Sequence, residues 1–265
     1  MSVVDQPTAA VRLAYGCEPS QFGDLRLPTG SGPHAVLMVI HGGRWQANVT
    51  LDGIAAACAS VTEAGVATWN VEYRRLGIDG GGWPGTFQDV ASALDHLRSL
   101  AREYSLDLDR VVALGHSAGG PLALWLAGRY KIPAGDPLHS PNPLRPMSVI
   151  SSAGVNDFRR AYETGMGEGV MVELLGGAPE QVPDRYATTS PVDLLPLGVP
   201  QLLIHGTADD MVNHADSERY RDLAAAAGDQ VRLVSVPGSN HFGIRDPQTP
   251  FWALAREAIL STFSR

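Results

Sequence analysis

The 265-residue chain has only two cysteines, Cys17 and Cys58, too few for a disulfide framework or a clustered thiolate metal site. Both are expected to be structural thiols. It has no run of lysine or arginine that could track a phosphate backbone, and its formal charge is -8 from 28 acidic and 20 basic residues, which argues against a nucleic-acid partner. No uninterrupted apolar stretch of about 18 residues occurs, so no membrane span is expected. Met1–Val11 lacks a basic region followed by an apolar core, and a cytoplasmic location is expected. Repeats, low-complexity tracts and Ser/Gly-rich linkers are absent as well, which points to one domain over residues 1–265.

What is present is a loop-rich globular composition, with 44% hydrophobic residues, 29 glycines and 19 prolines. His34–His41 is a short, nearly all-apolar run ending at Gly42–Gly43, the pattern of a strand buried on both faces. Strands are also expected over Val66–Tyr73, Arg110–Gly115, Met147–Ser152, Gln201–His205 and Val231–Val236. Helices are expected over Thr50–Glu63, Thr86–Tyr104, Ala118–Tyr130 and Phe251–Phe263. Their alternation implies an α/β chain with a mostly parallel central sheet flanked by helices. Residues 155–200 are punctuated by Gly and Pro, are too long for a plain connection, and are expected to form a small cap over a site.

Gly115-His116-Ser117-Ala118-Gly119 fits G-x-S-x-G, a sharp strand-to-helix turn that lifts a serine hydroxyl above a sheet. The Ala118 amide, at a helix N-terminus, is a candidate oxyanion donor. His41-Gly42-Gly43-Arg44-Trp45 follows the first buried strand, and the Gly43 and Arg44 amides are candidates for the second donor. A serine needs a base, and the base needs a carboxylate that fixes its tautomer. Asp209 and His241 follow the last two strands in the required order after Ser117, at strand ends where ligands bind in open α/β sheets. Asp210 is chemically equivalent to Asp209, but Asp209 has the expected offset from Gly206 and Val212. His116 is expected to pack beneath the turn, and His205 to be a structural hydrogen-bonding residue. The other histidines lack acidic partners at metal-ligand spacing.

With these motifs the chain resembles the α/β-hydrolase superfamily from about Tyr15 onward. His41-Gly-Gly-Arg-Trp45 is similar to the HGGxW signature of kynurenine formamidases and related small bacterial carboxylesterases; Leu174–Pro179 and Ser190–Asp193 are similar to that group's cap. The Gly-rich stretch Gly77–Pro84 departs from the proline-rich stretch of hormone-sensitive lipase relatives. The resemblance implies a cofactor-free and metal-free hydrolase that acts on a small ester through an acyl-enzyme, with Ser117, Asp209 and His241 in the triad positions. An arylformamidase, using the same steps on N-formylkynurenine, is the alternative, and a ligand-binding protein on a hydrolase scaffold is the reading from another class. A peptidase is a weaker possibility, since such relatives usually add a propeller or gating domain. Trp45, Trp83, Phe158 and Tyr162 are candidates for an aromatic-friendly pocket. The oligomeric state is left open.

Overall fold

The computed structural model describes residues 10–166 and 169–264, so most of the Met1–Val11 segment and two positions of the expected cap lie outside the described residues. Eight strands form one sheet: β1 (Val11–Ala14), β2 (Phe22–Arg26), β3 (His34–Ile40), β4 (Ala67–Val71), β5 (Leu106–His116), β6 (Ser148–Ser152), β7 (Gln201–Gly206) and β8 (Val231–Val236). Their spatial order is β1-β2-β4-β3-β5-β6-β7-β8. From β4 to β8 all neighbours pair in parallel, whereas β1 and β2 join antiparallel at one edge.

The period of two along the central strands divides the core. Val36, Met38 and Ile40 of β3 belong to one apolar cluster and Leu37 and Val39 to the other, so both faces of the strand are buried. One cluster is covered by α2 (Gly85–Tyr104), α3 (Gly119–Gly128) and α7 (His214–Ala226), the other by α1 (Ala55–Glu63) and α8 (Pro250–Ser261). On α2, Phe87, Val90, Leu94 and Leu97 recur at helical spacing and are fully buried, each worth about 2 kcal/mol of apolar burial. Every residue of α3 is buried, which suits a helix apolar on all sides running beneath the sheet's active end.

β1, β2 and α7 were not expected from the sequence. β2 carries Gly23 and the buried Asp24, whose carboxylate is held by Arg12 of β1 at 2.8 Å; this cross-strand pair puts a charged side chain inside a strand that lies between β1 and β4. α7 is largely polar, buries only Ser217, Tyr220 and Ala224, and starts at Asn213, whose side chain accepts from the Ala215 amide. The expected helix over Thr50–Glu63 begins instead with a tight 3-10 turn, Leu51–Ile54.

Between β6 and β7 lie three short helices, α4 (Phe158–Glu163), α5 (Val170–Leu175) and α6 (Pro183–Thr189). Part of this segment flanks the sheet: Trp125 of α3 donates through Nε1 to the Thr188 carbonyl at 2.9 Å. Cys58 is buried on α1, while Cys17, expected to be structural, is exposed. Among the described residues no helix is long and apolar enough to cross a membrane.

Candidate active site

The C-terminal ends of β3, β5, β7 and β8 lie along the same edge of the parallel sheet, with β6 between β5 and β7, and the loops that leave them carry Gly43, Ser117, Asp209 and His241. Ser117 sits at φ 53, a conformation a non-glycine residue adopts only when the surroundings hold it there. The hold is visible: its amide donates to the Ser152 carbonyl at 2.8 Å, and its carbonyl accepts from the Gly120 amide at 2.9 Å. The turn is so close to β3 that a Cβ on Gly119 would stand 2.2 Å from the Ile40 carbonyl oxygen. Glycine is therefore required there by close approach, and the buried start of α3 places Ala118 directly behind the serine.

Ser117 Oγ lies 2.9 Å from His241 Nε2, and His241 donates from Nδ1 to Asp209 Oδ2 at 2.7 Å. Asp209 Oδ1 accepts from the amides of Met211 and Val212, both at 2.9 Å. Oδ2 also accepts from His205 Nε2 at 3.0 Å. Burial works against the carboxylate's charge, yet the bonds from His205, His241, Val212 and Met211 outweigh it and hold Asp209 far below the ordinary carboxylate range. Its neighbour Asp210 is exposed. His116 packs beneath the turn and is kept neutral: burial, then the adjacent His241 ring, lower it to about 3.

The loop after β3 is supported by a buried network that sequence reasoning did not find. Glu72 follows β4 and accepts at Oε1 from His41 Nε2 (2.9 Å), from the Tyr73 amide (3.0 Å) and from Arg75 Nη1 (2.6 Å). Its Oε2 accepts from the Leu51 amide at 3.1 Å. Burial opposes its ionisation, but His41, Arg75 and the Tyr73 amide together hold it below its ordinary value. Arg75 also donates to the Val49 carbonyl, and the Tyr73 hydroxyl donates to the His41 carbonyl at 2.9 Å. The only sequence sign of this network is a Glu, a Tyr and two Arg in a row at a strand end. Beyond His41 the chain passes through Gly43 (φ 114), Arg44 (φ 54) and Trp45 (φ 55), three successive left-handed residues. Such a run turns the backbone sharply beside Ser117.

Two cavities meet at Ser117 and His241. One, of about 230 Å³, is walled mainly by Trp45, Ala118, Val155, Met166, Val170, Met171 and Val212. The other, of about 500 Å³, is a mixed cleft lined by Gln46, Asn48, Thr50 and Arg245 as well as by Val49, Ile54 and the exposed Met211 and Phe242. Arg44 lines both. Of the four aromatic candidates, only Trp45 lines either cavity. Phe158 is fully buried behind it, edge-on to the Trp45 ring at 6.0 Å. Trp83 is covered by the Arg185 guanidinium at 3.9 Å, and Tyr162 is 37% exposed on α4. Of its described residues, the segment between β6 and β7 contributes only Val155, Met166, Val170 and Met171 to the smaller cavity. Among the described residues, no group of three or more His, Cys, Asp or Glu side chains is arranged to hold a metal ion.

Residues 24–223 match the BD-FAE family. The chain is 29% identical over 128 residues to an uncharacterized peptidase, YtmA, of Bacillus subtilis, covering 48% of this chain and 45% of that protein. It spans about half the length of the curated relatives it matches. Among solved structures, a truncated carbohydrate esterase from gut microbiota superposes with TM-score 0.79 at 22% identity over 99% of both chains. Esterase B of Lactobacillus rhamnosis, inhibited by a tributyrin phosphonate, superposes with TM-score 0.83 at 21% identity over 99% of this chain and 87% of its own. At these identities the likeness shows the fold, which is that of the α/β hydrolases.

Proposed function

The chain belongs to the BD-FAE family, and we propose that it is a serine-dependent hydrolase of small carboxylic esters. The observation that carries this reading is the continuous chain from Ser117 through His241 to Asp209, hydrogen-bonded at 2.9 and 2.7 Å, at the point where two cavities meet.

In this mechanism His241 Nε2 takes the hydroxyl proton as Ser117 Oγ attacks the ester carbonyl, and Asp209 stabilises the imidazolium without itself becoming protonated. The amides of Ala118 and of Gly43 or Arg44 hold the developing oxyanion. Collapse breaks the bond to the alcohol oxygen, which leaves with the proton from His241. Water then attacks the acyl-Ser117 with His241 as base, releasing the acid and restoring the serine hydroxyl. The smaller cavity, with Val155, Met166, Val170 and Met171 in its lining, suits an acyl chain, which makes no hydrogen bonds. The larger cleft, with Gln46, Asn48, Thr50 and Arg245 in its lining, offers hydrogen-bonding groups to the alcohol.

Labelling with a fluorophosphonate tests the nucleophile: an adduct on Ser117, abolished by Ser117→Ala in a folded protein, is expected. Absence of any adduct on folded wild-type protein would defeat the enzyme reading and leave a binding protein on a hydrolase scaffold. Assay of p-nitrophenyl acetate beside N-formylkynurenine and a peptide anilide tests the substrate class. The ester is expected to be preferred, and a preference of several orders for the formamide would make the chain an arylformamidase.

A further inference from the structure

The two hydrogen-bonded chains that end on Asp209 mirror each other. On one side Oδ2 accepts from His241 Nδ1 at 2.7 Å, and His241 reaches Ser117. On the other, the same oxygen accepts from His205 Nε2 at 3.0 Å, and His205 Nδ1 lies 2.7 Å from Ser217 Oγ. The tautomer of His205 follows from its partners. Nε2 faces two acceptors, Asp209 Oδ2 and the Val212 carbonyl at 3.0 Å, so it carries the hydrogen; Nδ1 then receives the hydrogen of the Ser217 hydroxyl. His205 ends β7 and Ser217 lies in the first turn of α7, both buried, so the ring is clamped between strand and helix.

We propose that His205 is a positioning residue for the hydrolytic reaction, its Nε2–H fixing the Asp209 carboxylate and sharing the oxygen on which His241 depends. This rests on the reading of Ser117, His241 and Asp209 as the hydrolytic set. A buried histidine that served packing alone would be satisfied by the Val212 carbonyl and Ser217. The additional carboxylate contact places the ring on the acid itself. A donor shared at Oδ2 has two effects: it removes rotational freedom from the carboxylate, and it withdraws electron density that would otherwise stabilise the His241 imidazolium. The surrounding titratable groups are few. His205 faces Asp209 and, at 5.4 Å, the ring of His214, which lies near Glu218. His241 faces Asp209 and the neutral His116 ring at 4.9 Å, with Arg245 in the same cleft wall.

The test compares wild type, His205→Leu and His205→Gln by kcat, KM and the pH dependence of kcat/KM on p-nitrophenyl acetate, each normalised to active sites titrated with a fluorophosphonate, with Tm measured in parallel. His241 must be neutral to act as base, so kcat/KM falls as pH drops through its titration. Without the Nε2–H, Asp209 stabilises the imidazolium more strongly and that acid limb moves to higher pH. In His205→Leu we expect this shift together with a kcat about 10- to 100-fold lower, the rate equivalent of one hydrogen bond to a charged group, at KM within about twofold. His205→Gln, whose amide N–H reaches the place of Nε2, should recover most of both. His205→Phe, which fills the same space with a ring that has no Nε2–H, should move the limb in the same direction and serves as the test if His205→Leu does not fold. An unmoved acid limb and unchanged kcat in a folded His205→Leu, or in His205→Phe where His205→Leu does not fold, would overturn the proposal. So would equal impairment of the Leu and Gln variants. A wild-type protein that takes no label on Ser117 defeats the hydrolase reading instead, so the two failures are distinguishable.

Discussion

His116 donates from Nε2 to the main-chain carbonyl of His241 at 2.9 Å, so the residue before Ser117 holds the backbone of the loop that carries its base. The bond ties the end of β5 to the loop after β8. Burial and the nearby His241 also require the His116 ring to be uncharged, because both disfavour a second proton.

That requirement fixes a pH dependence of stability. In the unfolded chain His116 titrates near 6.5, whereas in the folded protein it is lowered to about 3. Between these values the unfolded state binds the proton and the folded state does not, so the stabilising contribution is complete above about pH 6.5 and is lost progressively as pH falls toward 3. The expected contribution to the slope is up to one proton, about 1.4 kcal/mol per pH unit. Urea unfolding at a series of pH values should show it, and His116→Gln, which can still donate to the His241 carbonyl, should flatten the acid side of the curve.

Glu72 offers a test of the network beneath the Gly43 loop. Glu72→Gln removes the charge that His41 and Arg75 share while conserving volume, leaving a buried guanidinium without its counter-ion. Breaking a buried pair in this way typically costs about 3 to 5 kcal/mol. Thermal unfolding should register that loss. Because His41 and Arg75 both reach the loop backbone, kcat on a p-nitrophenyl ester should fall as well, with a smaller change in KM. Full activity in a destabilised Glu72→Gln protein would show that the network supports the fold and not the loop's geometry.

Gly43→Ala addresses the loop directly. The residue has φ 114, and an added Cβ would lie 2.4 Å from Val49 Cβ, so the backbone must move. A stability loss of about 1 to 3 kcal/mol is expected. Displacing an amide that holds the oxyanion should lower kcat about 100- to 1000-fold. The double variant Gly43→Ala/Val49→Ala relieves the contact but not the backbone strain, and should regain stability more than rate. Unchanged kcat in Gly43→Ala would remove this loop from the oxyanion site.

The convergence of Ser117, Asp209 and His241 was readable because strand-end position is encoded locally: each follows an apolar, β-branched run and precedes a turn rich in glycine or polar residues. The parts that were not readable depend on pairing across the chain. β2 looks unlike a strand because Asp24 is buried against Arg12 of another strand. Trp83 and Phe158 have the residue type of a substrate wall, but Arg185 and Trp45 cover them. His205 stands four positions before Asp209, and only the turn closed by the Asp209 amide on the Gly206 carbonyl, at 3.4 Å, brings its ring back to the carboxylate. Residue type alone placed it among structural histidines.

The size of the smaller cavity sets an expected acyl-chain preference. At roughly 30 Å³ for a water-sized group, about 230 Å³ accommodates an acyl chain of up to about seven or eight heavy atoms. Met166 and, on α5, Val170 and Met171 are among the residues that line it, all side chains that can be shortened without removing a polar group. Among p-nitrophenyl esters, acetate to hexanoate should therefore be the preferred range, with kcat/KM falling for longer chains. Val170→Ala and Met166→Ala enlarge the cavity and should raise kcat/KM for octanoate relative to acetate by about tenfold, the scale of one methylene in an apolar pocket. Asn48→Ala lies on the other side of Ser117 and should leave the chain-length profile unchanged while altering the dependence on the alcohol. If the Val170 and Met166 variants instead change the preference among alcohols at a fixed acyl group, the two cavities exchange roles and the acyl chain occupies the larger cleft.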